Sequence, residues 1–205
     1  MTDQQAIDLY LNHYKMLCPE IEVDILNYIK EDLRVVRLKP KDFYLKSGEM
    51  QHSLAFLVHG LVRAYYEDLE GNEKTAWFSY ENEYVTDYPN YISRKPSKFQ
   101  FQCIESCIMV ELPYESMQDG YNKYKIIERY GRLVTEYAVV GLQYRIDGFL
   151  FKTAEERYID FITQNPKLFN RISLTDLASY LGVERQSLSR IRSRLINPNE
   201  ILSQM

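Results

Sequence analysis

The chain has few of the residues that build covalent or metal-bound scaffolds. Its 205 residues include only three cysteines and three histidines. An odd number of cysteines without CxxC spacing fits neither a disulfide framework nor a zinc site. The three histidines form no HxH pair, which a cupin-type metal enzyme would need. We therefore expect no metal site, no catalytic residues and no cofactor.

Long apolar runs are also missing from the sequence. No stretch approaches the roughly 18 consecutive apolar residues that indicate a membrane span. The N-terminal residues 1–5 lack the basic start and apolar block of a secretory signal. We expect a cytoplasmic protein without a membrane partner.

The net charge of −4 argues against nucleic-acid binding, but the charge is unevenly distributed. From Lys152 onward, eight basic residues outnumber six acidic ones, so this segment is +2 and the rest is −6. Four arginines fall between positions 185 and 194. DNA binding requires a local positive face rather than a positive total.

The periodicity of apolar residues changes twice along the chain. Residues 3–32 repeat every three or four positions and predict helices interrupted at Pro19, whereas residues 33–112 alternate and predict short antiparallel strands. The segment 82–97 breaks this pattern and predicts a loop with a short helical turn. Helical periodicity returns from about Tyr114. The fold class is therefore α+β.

A seven-residue repeat of alternating three- and four-residue steps continues through the predicted long helix. This repeat is typical of a coiled-coil seam, and we favour a dimer seam over a helix that packs only on its own domain. The predicted seam residues are Ile127, Tyr130, Val134, Tyr137, Gly141 and Tyr144, followed by Gly148 and Phe151.

The segment 173–195 has the spacing of two short helices joined by a tight turn. Ser173 and Asp176 resemble a capping box, and Gly182 suits the turn. Leu177 and Leu181 share one helix face and predict the core of the first helix, as Leu188 and Ile191 do for the second. This pattern is typical of a helix-turn-helix.

The outer face of the second helix, residues 184–195, carries side chains suited to DNA. Arginine pairs with guanine, glutamine pairs with adenine, and serine hydroxyls reach phosphates. The predicted DNA-contacting residues are Arg185, Gln186, Ser187, Ser189, Arg190 and Arg192, with Ser173 at the first helix.

With these motifs the sequence resembles the Crp/Fnr family of transcription regulators over nearly its whole length. Leu57–Arg63 resembles the strand-and-glycine signature of the family, and Gly182–Arg190 resembles its turn and recognition helix. The resemblance implies a cyclic-nucleotide-binding-like β-roll, a double-stranded β-helix, at 1–115, a dimerisation helix at 116–151 and a helix-turn-helix at 152–205. It also implies base contacts by Arg185, Gln186 and Arg190.

The chain departs from the nucleotide-binding members of that family. Their Gly-Glu and Arg-Ser/Thr pairs, which hold ribose and cyclic phosphate, correspond here to Thr86-Asp87 and Ser97-Lys98. Lysine does not reproduce the bidentate phosphate clamp of arginine, so we do not expect cyclic AMP as the effector. An unidentified effector would lie near this position, among Tyr84, Asp87, Tyr88, Tyr91, Ser97 and Lys98.

The end of the chain departs as well. The β-hairpin wing of the family follows the recognition helix, but here Asn197–Asn199 is expected to stop that helix and only six residues follow. We expect a truncated or missing wing.

Two other classes of function are open to a chain of this kind. A ligand-sensing or protein-interaction dimer with a vestigial helix-turn-helix would explain the acidic total and the missing wing. A cupin-type enzyme would share the roll, but His52 and His59 are seven residues apart and face opposite sides of a regular strand. The interpretation that we favour is a homodimeric regulator of double-stranded DNA, with RNA polymerase as a further partner if it activates.

Overall fold

Residues 1–195 of the chain are described by the computed structural model. Their contacts form two compact units, of which unit 1 consists of residues 1–66 and 77–137. Unit 2 consists of residues 67–76 together with the residues from 138 onward. The segments predicted as 1–115, 116–151 and 152–205 do not coincide with these units and stay predictions. The helix stop at Asn197–Asn199 and the truncated wing lie outside the described residues.

Two helices open unit 1. Helix α1 spans Asp3–Leu17 and begins at a capping box in which Thr2 and Gln5 satisfy each other's backbone N–H groups. Helix α2 spans Val23–Lys30. The predicted interruption at Pro19 therefore lies between them, where a residue without a backbone N–H interrupts the helical hydrogen bonds.

In residues 1–195, eight strands form two antiparallel sheets, as the α+β prediction of a β-roll requires. One sheet has the strand order β1-β8-β3-β6 and the other has the order β2-β7-β4-β5. The segment predicted as a loop with a short helical turn contains that turn as the five-residue helix α3 at Tyr88–Ile92, and it also contains a strand, β6, that was not predicted. The strands are β1 Arg34–Leu38, β2 Phe43–Leu45, β3 Ser53–His59, β4 Val62–Glu67, β5 Glu73–Ser79, β6 Glu83–Val85, β7 Gln100–Cys103 and β8 Cys107–Pro113.

Strand β3 is buried on both faces, which explains its continuous apolar run. Ala55 and Leu57 belong to the core inside the roll, whereas Leu54, Phe56 and Val58 belong to a second core shared with the helices. The strand was predicted from the even-numbered apolar residues, and these residues face the helices. Their odd-numbered neighbours pack in the core inside the roll.

The predicted single helix over 116–151 is two helices. Helix α4 spans Tyr114–Lys123 and helix α5 spans Lys125–Phe151. Tyr124 between them has an extended backbone, with φ −132° and ψ 110°. The break lies in unit 1 and leaves α5 as a helix of 27 residues.

A cluster of tyrosine hydroxyls joins α1, β6 and α5 in the core of unit 1. The Tyr130 hydroxyl lies 2.7 Å from His13 Nδ1 and 2.7 Å from the Tyr84 hydroxyl. Tyr84 donates in turn to the Tyr10 hydroxyl at 3.3 Å, and the Tyr14 ring stacks on Tyr130 at 3.6 Å. Burial lowers the pKa of His13 and raises the pKa of Tyr130 well above its usual range.

Unit 2 contains the C-terminal helices and the tip of the β4–β5 hairpin. Helix α6 spans Ala154–Gln164 behind a capping box at Thr153, and a short 3-10 helix follows at Pro166–Leu168. Helices α7 and α8 span Leu174–Leu181 and Arg185–Arg194. The hairpin tip contributes residues 67–76.

Candidate nucleic-acid interface

The helices α7 and α8 form the tight two-helix unit that the sequence predicted. Gly182 ends α7 in the left-handed conformation, with φ 67° and ψ 38°. The next N–H, from Val183, donates to the Ala178 carbonyl at 3.0 Å and completes a Schellman-type end. A Cβ at position 182 would lie 2.9 Å from Phe149 Cε1, so both the conformation and the available space require glycine.

The apolar spacing that predicted this unit corresponds to its core. Leu177, Ala178 and Leu181 of α7 are buried, and so are Leu188 and Ile191 of α8. At the start of α7 the Ser173 hydroxyl accepts the Asp176 N–H at 3.1 Å and donates to the Asp176 carboxylate at 2.7 Å. Ser173 is exposed as a helix cap, the position at which a helix N-terminus can meet a phosphate.

Helix α8 presents a polar face opposite its core residues. With about 100° per residue, Arg185, Gln186, Ser189 and Arg190 fall within an arc of roughly 140°. All four are exposed, as is Ser187. The helix contains four arginines and no acidic residue, because Glu184 precedes it as the N-cap. This face can therefore supply bidentate donors and a positive field without an opposing carboxylate on its own helix.

Arg192 does not share that face. Its guanidinium lies over the Phe169 ring at 5.1 Å from the centroid, and the residue is half-buried. The helical period places position 192 just outside the arc, about 20° from Arg185, so the contact with Phe169 sets Arg192 apart rather than the period alone. A cation held against an aromatic ring of the same unit fixes the helix, so the structure favours a packing role for Arg192 over the predicted contact with DNA.

Two residues that sequence reasoning missed hold α7 in unit 2. The Ser179 hydroxyl accepts the Thr75 N–H at 2.8 Å and donates to the Glu73 carbonyl at 3.2 Å. The Arg145 guanidinium donates to the Tyr180 carbonyl at 3.1 Å and lies 3.8 Å from the Tyr180 ring centroid. We call these contacts between α7, α5 and the β4–β5 hairpin the hairpin clamp.

Arg145 is half-buried in unit 2. It also donates to the Thr75 carbonyl at 3.4 Å, and its guanidinium lies 5.1 Å from the Phe149 ring centroid. Burial lowers the pKa of Arg145. The contacts of both clamp residues span many positions of the chain, so no local pattern could have identified them.

The residues of the seam predicted along α5 fall into a buried group and an exposed group, which meet near the boundary between the two units. Ile127 and Tyr130 are 2% and 3% exposed in the core of unit 1, so no second chain can cover them and the prediction is wrong for these two residues. Val134 packs against the same core. The seven-residue repeat runs through the whole of α5 because the same stripe packs in the core of unit 1 at its start and is exposed to solvent in its later residues.

From Tyr137, the last residue of unit 1, onward, α5 carries exposed apolar residues. Tyr137 is 78% exposed and Tyr144 is 67% exposed, with Gly141 between them on the same stripe. Val140 and Phe151 extend this stripe and are 52% and 78% exposed. An apolar stripe of this length on one chain is typical of a helix with a partner.

Five of the six residues predicted around an effector lie in two different places. Asp87, Ser97 and Lys98 come together, since the Ser97 hydroxyl donates to the Asp87 carboxylate at 2.8 Å and the Lys98 N–H donates to it at 3.3 Å. Tyr84 and Tyr91 pack instead in the core shared with the helices. We therefore correct the predicted lining by removing these two tyrosines from the Asp87 group.

Tyr88 is exposed, and its hydroxyl lies 3.4 Å from the Thr135 hydroxyl. It is therefore available at the surface, on the short helix that follows Asp87.

Among residues 1–195 no group of three or more histidine, cysteine, aspartate or glutamate side chains could hold a metal ion. Within the same range, no helix has the length and apolarity needed to cross a membrane. A cleft of about 10 Å³, enough for one water molecule, lies beside Tyr14, Met117 and Ile127, away from Asp87.

The comparison with known proteins rests on structure. No family model matches the sequence, and the search of curated proteins finds no match. FixK2 from Bradyrhizobium japonicum is similar with a TM-score of 0.70 and 17% identity over 80% of this chain and 84% of that one. The c-di-GMP-responsive regulator CLP from Xanthomonas campestris has a TM-score of 0.66 and 15% identity over 85% and 91% of the two chains.

A transcriptional regulator of the Crp/Fnr family from Eubacterium rectale is similar with a TM-score of 0.69. It is 15% identical over 88% of this chain and 86% of its own. Each match covers more than four fifths of the other protein's own chain. The chain therefore has the fold of the Crp/Fnr regulators.

Proposed function

We propose that the chain is a DNA-binding transcription regulator whose helix α8 enters the major groove. The observation that carries this proposal is the polar face of α8, where Arg185, Gln186 and Arg190 are exposed together and no acidic residue shares the helix. A solvated helix face without a nucleic-acid partner more often mixes both signs of charge. The similar solved structures support the proposal because they are regulators with the same fold.

The base contacts can be tested by selecting bound sequences from a random double-stranded DNA library and measuring affinity for the selected site. Arg185→Ala should weaken specific binding by about 5- to 150-fold, which corresponds to about 1–3 kcal/mol for a lost bidentate contact. A second variant, Arg185→Ala/Arg190→Ala, removes both arginines of the α8 face. Its control is Arg37→Ala/Lys39→Ala, which removes two exposed charges from unit 1. The control lies outside the proposed interface and should keep its affinity for the selected site, whereas the change on α8 should lose it.

Equal binding of the selected site by the parent and the α8 variant would contradict the proposal. Absence of any enriched site at low salt would favour the alternative function, a protein-interaction dimer with a vestigial helix-turn-helix. The acidic total charge motivates that alternative.

We further propose that two chains pair through the exposed half of α5. The stripe of Tyr137, Val140, Gly141 and Tyr144 would form the seam, and glycine at 141 would let the two backbones approach closely. Pairing of parallel or crossed α5 helices places two α8 helices at one end of the dimer. A two-fold operator would then have half-sites one DNA turn apart, about 34 Å.

The seam is tested by the oligomeric state in solution. Tyr144→Glu places a charge in the proposed interface and should convert the dimer to a monomer at micromolar concentration in light scattering. Leu69→Glu is the matched control, because Leu69 is fully exposed at the tip of the β4–β5 hairpin and lies outside the stripe. A Tyr144→Glu chain that stays dimeric would rule out this seam.

A regulator of this kind acts in the bacterial cytoplasm as a binding protein and not as an enzyme. Contact with RNA polymerase would follow if it activates transcription.

A further inference from the structure

Three polar side chains are buried at the position where the Crp/Fnr resemblance places the effector. Gln51, Asp87 and Ser97 are each 4% exposed. Burying polar groups is costly unless they are hydrogen-bonded. Their partners therefore define what this part of the roll is built to hold.

The Asp87 carboxylate is held in the manner of a bound anion. One of its oxygens, Oδ2, accepts the Ser97 hydroxyl at 2.8 Å, the Asn90 side-chain amide at 2.9 Å and the Lys98 backbone N–H at 3.3 Å. A hydroxyl, an amide and a backbone N–H are also the donors that hold phosphate oxygens. By the Crp/Fnr resemblance, Ser97-Lys98 stands where nucleotide-binding members hold the cyclic phosphate, and Thr86-Asp87 stands where they hold the ribose. The Asp87 carboxylate therefore takes the donors of the phosphate-holding pair for itself.

The Gln51 side chain holds the backbone on both sides of Thr86. Its side-chain oxygen accepts the Asp87 N–H at 3.2 Å and the Thr86 hydroxyl at 3.1 Å. Its side-chain nitrogen donates to the Val85 carbonyl at 3.1 Å and to the Ser53 carbonyl at 2.8 Å. Asp87 is thus fixed by its backbone as well as its side chain, and displacing it would break a connected network.

We propose that Asp87 is a tethered anion that occupies the effector position of the β-roll from within. A free small oxyanion, carboxylate or phosphate, enters this position only when the Asp87 side chain is removed. If the proposed DNA-binding function is correct, it follows that the chain reads its site without a cyclic nucleotide.

Chemical rescue of the full-length chain tests the tethered anion. Asp87→Ala removes the carboxylate and leaves its donors, so formate should bind saturably and raise the unfolding midpoint of the variant. At ten times the dissociation constant of formate the rise should be about 3–6 °C. The parent and Ser97→Ala keep the tethered carboxylate and should show only the small shift that a chloride control also gives. Inorganic phosphate, run in parallel, shows whether the vacated position takes a larger oxyanion.

A formate response in the parent equal to that of Asp87→Ala would overturn the proposal, and so would a folded Asp87→Ala chain without a saturable response. A second measurement needs no variant. Cyclic AMP, cyclic GMP and cyclic di-GMP should leave the unfolding midpoint of the parent unchanged, and a saturable shift with any of them would show that the position is open. Neither measurement involves DNA, so both outcomes can be interpreted whether or not the DNA-binding proposal is correct.

Discussion

Replacing Gly182 with alanine tests whether the turn between α7 and α8 depends on both of the constraints seen at this position. The φ of +67° belongs to the left-handed region, where a Cβ costs about 1–2 kcal/mol. The new Cβ would also lie 2.9 Å from Phe149 Cε1, which is closer than van der Waals contact.

The second cost depends on how far the Phe149 ring can move. The Arg145 guanidinium of α5 and the Arg157 guanidinium of α6 lie 5.1 Å and 5.2 Å from its centroid and restrict its movement. Turning an aromatic side chain away from its preferred rotamer costs about 0.5–1.5 kcal/mol. Gly182→Ala should therefore lower the free energy of unfolding by about 2–3 kcal/mol, a large part of the usual total.

Two further variants separate the contributions. Gly182→Asn keeps the close contact but suits the left-handed backbone better, so it should cost less than alanine. Gly182→Ala in a Phe149→Leu background relieves the close contact, so relative to Phe149→Leu it should show only the backbone cost. The assay is urea unfolding followed by helical circular dichroism, with an unchanged slope required for the comparison. A Gly182→Ala chain within about 0.5 kcal/mol of the parent would refute the reasoning.

Three other perturbations follow from buried groups. Burial raises the pKa of Glu83 to about 8 from 4.5. The folded chain therefore holds a proton that the unfolded chain has lost, and stability falls by up to about 1.4 kcal/mol per pH unit as pH rises through this window. Glu83→Gln should flatten that slope in unfolding measured from pH 4.5 to 8, and an unchanged slope would contradict it. Tyr130→Phe removes the hydroxyl shared by His13 and Tyr84 and should cost about 1–2 kcal/mol without changing the oligomeric state; a loss of dimer in light scattering would restore Tyr130 to the seam. Ser179→Ala removes both side-chain bonds to the hairpin and should cost about 1–3 kcal/mol, whereas exposed Ser193→Ala should cost little, and equal costs would argue against the hairpin clamp.

The sequence predicts local structure well because its signals are local. Leu177, Leu181, Leu188 and Ile191 share a core within twenty residues, and Gly182 must take the conformation that the turn requires. The apolar run of β3 and the even-numbered apolar positions of β8 likewise predict strands, since these patterns depend only on which faces are buried. The helices α7 and α8 carry most of the candidate interface.

Long-range packing was not predictable in the same way. The seven-residue repeat in α5 has the same appearance where Ile127 meets the core of its own unit and where Tyr144 is exposed. A stripe of apolar residues indicates that something covers it but not which chain does so. The Arg145 and Ser179 contacts also join distant positions, and a polar residue inside an amphipathic helix gives no sign of its partner.

The hairpin clamp has a consequence for anyone who isolates the β-roll. Strand β5 ends the order β2-β7-β4-β5, so its outer side is an open sheet edge, and the hydroxyl and guanidinium groups that cover it near Glu73 and Thr75 come from α7 and α5. Cutting the chain after Tyr137 removes that cover. An open edge is a template for strands of other molecules, so the shortened chain is expected to self-associate at β5. In the intact chain, α5 and α7 cover the edge of β5 near Glu73 and Thr75 and keep it from pairing with strands of other molecules.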